Sequence, residues 1–260
     1  MLFFFKIYLE KMKKLIYAFS ALALLFASCS SDNDSSSEDT SGPVLLKKLI
    51  ETDFNGDVYT TDYFYNGNKL IKTVNDDGTY QNITYTGNLI TKMEFFSETD
   101  QLEQTDLFVY NENEQLVNFQ RLLHNEDLGF KEVYVYDASG NVAVTYYDGD
   151  LASQTNETGT GNVTFLNGEI SVMTDMDAGV TKTYTYDTKN TPFKNVLGMG
   201  KLSFYDSGND QGINHNVVML TKSDGESVTS TYTYNSSDYP VTCVDDDSVL
   251  GNISYQFFYE

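Results

Sequence analysis

Two histidines, two cysteines, a single arginine and 38 carboxylates are what this sequence offers for chemistry. His124 and His215 stand without an HExxH pair or a cysteine pair, so a zinc site would have to be completed by carboxylates; plain surface histidines are the simpler reading. No G-x-S-x-G elbow supports serine hydrolysis. Glycoside hydrolysis needs only two carboxylates, but acids this numerous put some pair at catalytic separation by chance, so abundance erases the signal. Calcium has three candidate runs: Asn75-Asp76-Asp77-Gly78, Asp175-Met176-Asp177-Ala178-Gly179 and Asp245-Asp246-Asp247. None completes D-x-[DN]-x-[DN]-G with a glutamate at the twelfth position, and all fall where turns are expected. Asp175, Asp177, Asp245 and Asp247 are the weak metal candidates; no cofactor and no catalytic residue are expected.

Charge narrows the partners. The formal net charge of −22 becomes −25 once the four lysines and one glutamate of residues 1–28 are discounted. Such a chain repels phosphate backbones, so nucleic-acid binding is not expected. Arg121 alone cannot build the guanidinium forks that recognise phosphates or carboxylates. Twenty tyrosines without a tryptophan could form a glycan or peptide face, but the missing indole counts against a glycan platform, and structural cross-strand ladders are the better explanation of the tyrosines.

The elements that must carry these residues begin after residue 42. Lys13-Lys14, an apolar run through Phe26 and the small residues Ala27-Ser28 follow the plan of a secretory signal over residues 1–28, with Met12 as the natural start. The run is too short to span a membrane as a helix. Leu25-Phe26-Ala27-Ser28-Cys29 resembles the lipobox of bacterial lipoproteins, with Phe26 departing from the usual aliphatic residue; the resemblance implies lipidation at Cys29. Residues 29–42, rich in Ser, Asp and Glu, read as a disordered acidic tether. That tether resembles the export signal of Bacteroidetes-type lipoproteins, implying an outer-membrane location facing the cell exterior. Cys243 is then left without a partner; alternation places it on the face of Val241, as a buried structural thiol.

Residues 43–260 read as one domain built from a repeat. Tyr63-Phe64-Tyr65-Asn66-Gly67-Asn68 recurs as Tyr134-Val135-Tyr136-Asp137-Ala138-Ser139-Gly140-Asn141, and more loosely around Tyr85, Tyr110, Phe165, Tyr186 and Tyr234. Phe204-Tyr205-Asp206 fills the one double-length gap as a degraded copy. Each copy reads as an alternating strand, a polar Asn/Asp/Gly turn and a returning strand. Tyr63 and Tyr65 share one face, and ladders of cross-strand aromatics are expected. Leu107-Phe108-Val109-Tyr110 and Val217-Val218-Met219-Leu220 are apolar on both faces, which predicts cover on both sides. The fold class is therefore all-β, an antiparallel up-and-down meander of about 14–16 strands coiled into a roll or barrel-like sheet.

YVYDASGNV resembles the tyrosine-aspartate (YD) repeat of RHS-type β-shell proteins. Together with the lipobox and tether, the repeats resemble a group of Bacteroidetes-type outer-membrane lipoproteins of unknown function with a porin-like β fold. The shared motifs are structural, so nothing catalytic is implied. A membrane pore is not expected, because Lys72, Lys92, Thr183 and Thr185 interrupt every face that lipid could cover. The function expected is that of a monomeric, lipid-anchored, non-enzymatic surface protein binding a glycan or another envelope protein. A purely structural envelope component and a carboxylate-dependent glycoside hydrolase are the alternatives.

Overall fold

The structure, a computed structural model, describes residues 42–176, 179–206 and 212–260. The expected lipidation site Cys29, the expected signal and nearly all of the expected tether lie outside the described residues, as does the metal candidate Asp177. Sixteen strands follow one another: β1 (Leu46–Thr52), β2 (Val58–Asn66), β3 (Lys69–Asn75), β4 (Tyr80–Thr86), β5 (Leu89–Phe96), β6 (Leu102–Tyr110), β7 (Leu116–Leu123) and β8 (Leu128–Tyr136) form the first half. The second half is β9 (Val142–Gly149), β10 (Gln154–Leu166), β11 (Glu169–Asp175), β12 (Val180–Tyr186), β13 (Val217–Lys222), β14 (Ser227–Tyr234), β15 (Pro240–Asp247) and β16 (Gly251–Tyr259). Each pairs antiparallel with its neighbours in the chain, and β16 closes on β1 to make an up-and-down barrel. The expected meander is borne out, and it closes completely, which leaves no unpaired edge.

Turn chemistry makes the hairpins. Asp53, Asn111, Asp137 and Asn235 each accept, on one side-chain oxygen, the N–H groups two and four residues ahead. Asn167-Gly168, with φ of 53° and 81°, is the tight turn that only residues tolerating positive φ can make.

The repeat has a physical core that its aromatic pattern only hints at. Tyr65, Tyr85, Tyr110 and Tyr136 pair across the sheet with the aliphatic residues Leu70, Ile90, Leu116 and Val142, so at the repeat tyrosines the expected aromatic–aromatic ladder gives way to tyrosine–aliphatic pairs, while Tyr80–Phe96 and Phe108–Phe119 do stack across neighbouring strands. Their hydroxyls reach the other way. Tyr65 donates to the Leu46 carbonyl at 2.8 Å, Tyr110 to Ile90 at 2.8 Å and Tyr136 to Leu116 at 3.0 Å. Leu46, Ile90 and Leu116 each stand immediately before a β-bulge. A bulge disrupts the ladder locally, and the tyrosine hydroxyl supplies a donor there. β9 pairs with β8 without a register shift, and at the equivalent place on β10 stands Phe165, which has no hydroxyl.

The bulges also correct the face assignment of Cys243. Tyr234 pairs with Pro240 and Thr233 with Thr242, so Val241 is skipped. Val241 is consequently exposed while Cys243 is buried.

Inside and outside differ sharply. Ile83, Ile90, Phe108, Phe119, Tyr134, Val142, Val163, Tyr184 and Leu220 form one buried cluster on the inward face. Outward positions on β12 and β14 are Thr181, Thr183, Thr185, Thr229, Thr231 and Thr233, and Lys72, Lys92 and Lys131 face outward elsewhere. The cover expected over both faces of β6 and β13 is absent: Val109 is 51% and Met219 42% exposed.

Candidate functional site: a lumen closed by an inner plug

The connection between β12 and β13 runs through residues 187–216, far longer than any other turn. It contains Phe204-Tyr205-Asp206, which is no degraded hairpin; it follows the 3-10 helix Met199–Leu202 inside the barrel. Phe193 packs on Tyr63 of β2 with ring centroids 5.6 Å apart, and Phe204 on Phe165 of β10 at 5.8 Å. β2 and β10 are eight strands apart in a ring of sixteen, hence on opposite walls. One segment can touch both only by crossing the lumen. Tyr205 stands edge-on to Phe108 and Phe119 of β6 and β7, and Leu202 is fully buried. The segment therefore supplies the core that the wall of a barrel this wide cannot provide alone.

Polar latches fix this plug to the wall. Arg121 on β7 holds the buried Asp106 of β6 through two bonds of 3.0 Å, and its Nη1 lies 2.7 Å from Asp206 on the plug. Glu132 on β8 accepts the Asp206 N–H at 3.1 Å and the Tyr134 hydroxyl on the same oxygen, Oε2. Burial pushes the Glu132 carboxyl up to about 7, opposed by the Tyr134 bond. Burial also raises Asp106, against the lowering pull of Arg121. At the returning end of the plug, Glu169 accepts the N–H groups of Ile213, Asn214 and His215 at 2.7–3.0 Å, with His215 Nδ1 at 3.1 Å. Asp187 gathers Lys189 N–H, Asn216 and the Tyr234 hydroxyl where the plug begins. Gly198 lets the plug come close to the wall, since a Cβ there would meet the Asn88 carbonyl at 2.9 Å and its φ is 78°.

The plug lies at one end. Leu197 donates its N–H to the Asn68 carbonyl and Asn190 its N–H to the Asp238 carbonyl, each at 2.9 Å, while Asn195 donates to the Val44 carbonyl at 3.0 Å. Both chain termini of the barrel are at this end, where Leu45 and Glu260 exchange backbone bonds. A cleft of about 210 Å³ opens between the plug and the turns after β6 and β8, lined by Leu116, Tyr136, Phe165, Phe204, Glu114 and Lys201.

The residues singled out in the sequence do not converge. His124 bonds Thr105 at 2.9 Å, and His215 belongs to the Glu169 latch. Asp77 caps Thr79, and Asp247 caps Val249 and Leu250, as turns require. Asp245 accepts from the Cys243 thiol at 3.2 Å. Asp175 ends β11, away from β15. Among the described residues no three His, Cys, Asp or Glu side chains could hold a metal ion together. Sequence reasoning missed the Arg121, Asp106, Glu132 and Asp206 cluster; the lone arginine was its only visible sign. Those carboxylates are bound to Arg121 and the plug, and none lines the cleft.

No family model matches the chain, and no curated protein matches it. Twenty-four chains of solved structures do. A porin-like protein from Bacteroides vulgatus matches over 84% of this chain and 99% of its own, with a TM-score of 0.52 and 12% identity. A porin-like protein from Bacteroides uniformis covers 85% of this chain and 100% of its own, with a TM-score of 0.48 and 12% identity. At this identity the likeness is one of fold: the chain has a porin-like β-barrel fold.

Proposed function

We propose that this chain is a lipid-anchored, non-enzymatic protein of the outer membrane whose barrel stands in water and binds an extracellular glycan or envelope protein. One observation carries the reading: the barrel's polarity is the reverse of a membrane barrel's. A spanning barrel needs an outward apolar band about 25 Å tall and a polar interior. Here threonines and lysines face out and the aromatic core, with its plug, faces in. A barrel of this kind needs an attachment if it is to stay at the membrane, and the lipobox ending at Cys29 would provide one. The porin-like neighbours support an envelope setting, and the YD motif supports a structural use of the repeat; kinship with RHS-type shells rests on that motif alone. Replacing Cys29→Ser should move the protein from the membrane fraction to the soluble fraction, and surface display should make the wild type accessible to protease on whole cells. Retention of the Cys29→Ser chain in membranes would overturn the anchored reading. A thermal-shift panel of polysaccharides, calcium and EDTA tests the ligand, because a glycan at a hundred times its Kd adds about 2.7 kcal/mol.

A further inference from the structure

The plug fills only part of the lumen. On β8 the inward side chains step from Tyr134, 3% exposed, and Glu132, 7%, at the level of the plug to Phe130 and Leu128, each 40% exposed, towards the other end. Register fixes their inward direction: Phe130 pairs with Arg121 and Leu128 with Leu123, and β7 and β8 run side by side without a shift. The same step from buried to part-exposed leads from Met93 to Phe95 on β5, from Met173 to Asp175 on β11 and from Tyr184 to Lys182 on β12. What remains is a bowl, floored by the plug and open at the end away from the chain termini. The strand residues beyond Glu132 make it about 10 Å deep once strand tilt is allowed for.

The wall of this bowl is acidic. Glu51, Asp148, Asp175, Asp245 and Asp247 share the inward face with Lys182 and Lys222, and Glu226 already holds Lys222 at 2.7 Å. The turns at residues 53–57, 76–79, 97–101, 124–127 and 223–226 ring the mouth, and each carries two carboxylates and neither lysine nor arginine. Burial, then the charges of Asp53 and Asp245, raise the Glu51 carboxyl above its usual range, as like charges crowded on one wall do. A concave surface of one sign concentrates counter-ions of the other.

We infer that the bowl binds a basic peptide segment of an extracellular or envelope protein, its cationic side chains meeting the wall carboxylates and its apolar ones resting on Phe130 and Leu128. This deepens the reading above by naming the class of partner, and rests on it for the existence of a partner outside the cell. Glycans bearing phosphate or carboxylate are repelled by such a wall, and a neutral glycan gains nothing from its charge. A bare metal ion lacks a site, since among the described residues no three His, Cys, Asp or Glu side chains could hold one together. A small polyamine would satisfy the carboxylates but leave Phe130 and Leu128 in water; a peptide with apolar side chains covers both. The ring of Phe130 also offers a face to a cation.

Fluorescence anisotropy tests this with residues 43–260, a compact unit by themselves. The probe is a short fluorescein-labelled peptide of alternating lysine and phenylalanine, compared in low salt with lysine–serine and glutamate–phenylalanine peptides of the same length. The lysine–phenylalanine peptide should bind, the lysine–serine peptide more weakly and the acidic one not at all. Phe130→Ser combined with Leu128→Ser should weaken binding about tenfold, as truncation of central contact residues does. Glu51→Gln combined with Asp148→Asn should weaken it about as much and flatten its dependence on salt. Val135→Ser, an outward change on the same strand as Phe130, should leave it unaltered, and circular dichroism checks the folding of every variant. No binding up to about millimolar peptide, equal affinity for the two lysine peptides, equal weakening by Val135→Ser and by the bowl changes, or displacement of the peptide by the neutral oligosaccharide maltoheptaose would each overturn the inference. The assay contains no membrane, so failure of the anchored reading would not alter its outcome, and failure of the peptide to bind would leave that reading standing.

Discussion

Arg121 is the residue on which the inside of the barrel turns. It neutralises a fully buried Asp106 and ties the wall to Asp206 on the plug. Removing one partner of a buried pair strands the other, at a cost of about 3–5 kcal/mol. Arg121→Met should therefore lower the unfolding free energy by that amount in urea titrations, and adding Asp106→Asn should restore a good part of it. An Arg121→Met chain as stable as wild type would show the cluster to be ornamental. Glu132 predicts a pH dependence. Its pKa, about 7 in the folded chain, lies above the ordinary 4.5. The stability it confers is thus complete below about 4.5 and is lost as pH rises through about 7. Glu132→Gln should flatten that part of the profile, gaining up to about 3 kcal/mol on the wild type between pH 4.5 and 8. Parallel profiles would contradict the assignment. None of this was legible in the sequence, because no local pattern links residues 106, 121, 132 and 206; only the scarcity of arginine marked one of them.

At the scale of elements the sequence was far more informative. Alternation, polar turns and the recurring aromatics located the hairpins, because turn and strand chemistry are local. What alternation could not reveal was the bulges, which cost Val241 its place beside Cys243 on the inner face. It also misread the plug: Phe204-Tyr205-Asp206 matches the repeat in composition, yet it has no partner strand and packs inside. The bulge–tyrosine pairing gives a test that separates hydroxyl from ring. Tyr110→Phe leaves the Ile90 carbonyl without its donor and should cost about 1–3 kcal/mol. Phe165→Tyr should gain nothing, since β9 has no bulge to serve. Equal effects of opposite sign at the two positions would mean that the hydroxyl acts independently of the bulge. Gly198→Ala is expected to destabilise as well, since its Cβ would press on the Asn88 backbone at a positive φ.

For the whole molecule, the all-β meander was readable from the sequence, whereas closure and the lumen-crossing segment were not, because both depend on contacts between residues far apart in the chain. The reversed polarity was partly visible in Lys72, Lys92, Thr183 and Thr185, and the structure places all four outward. The porin-like fold thus carries an interior and exterior exchanged relative to a pore. That exchange is the central claim, and the behaviour of residues 43–260 in water without detergent tests it most directly. The account predicts a monodisperse, β-rich monomer by size-exclusion chromatography and circular dichroism, giving no conductance when added to a planar bilayer. Aggregation relieved only by detergent, or discrete channel steps in the bilayer, would contradict it.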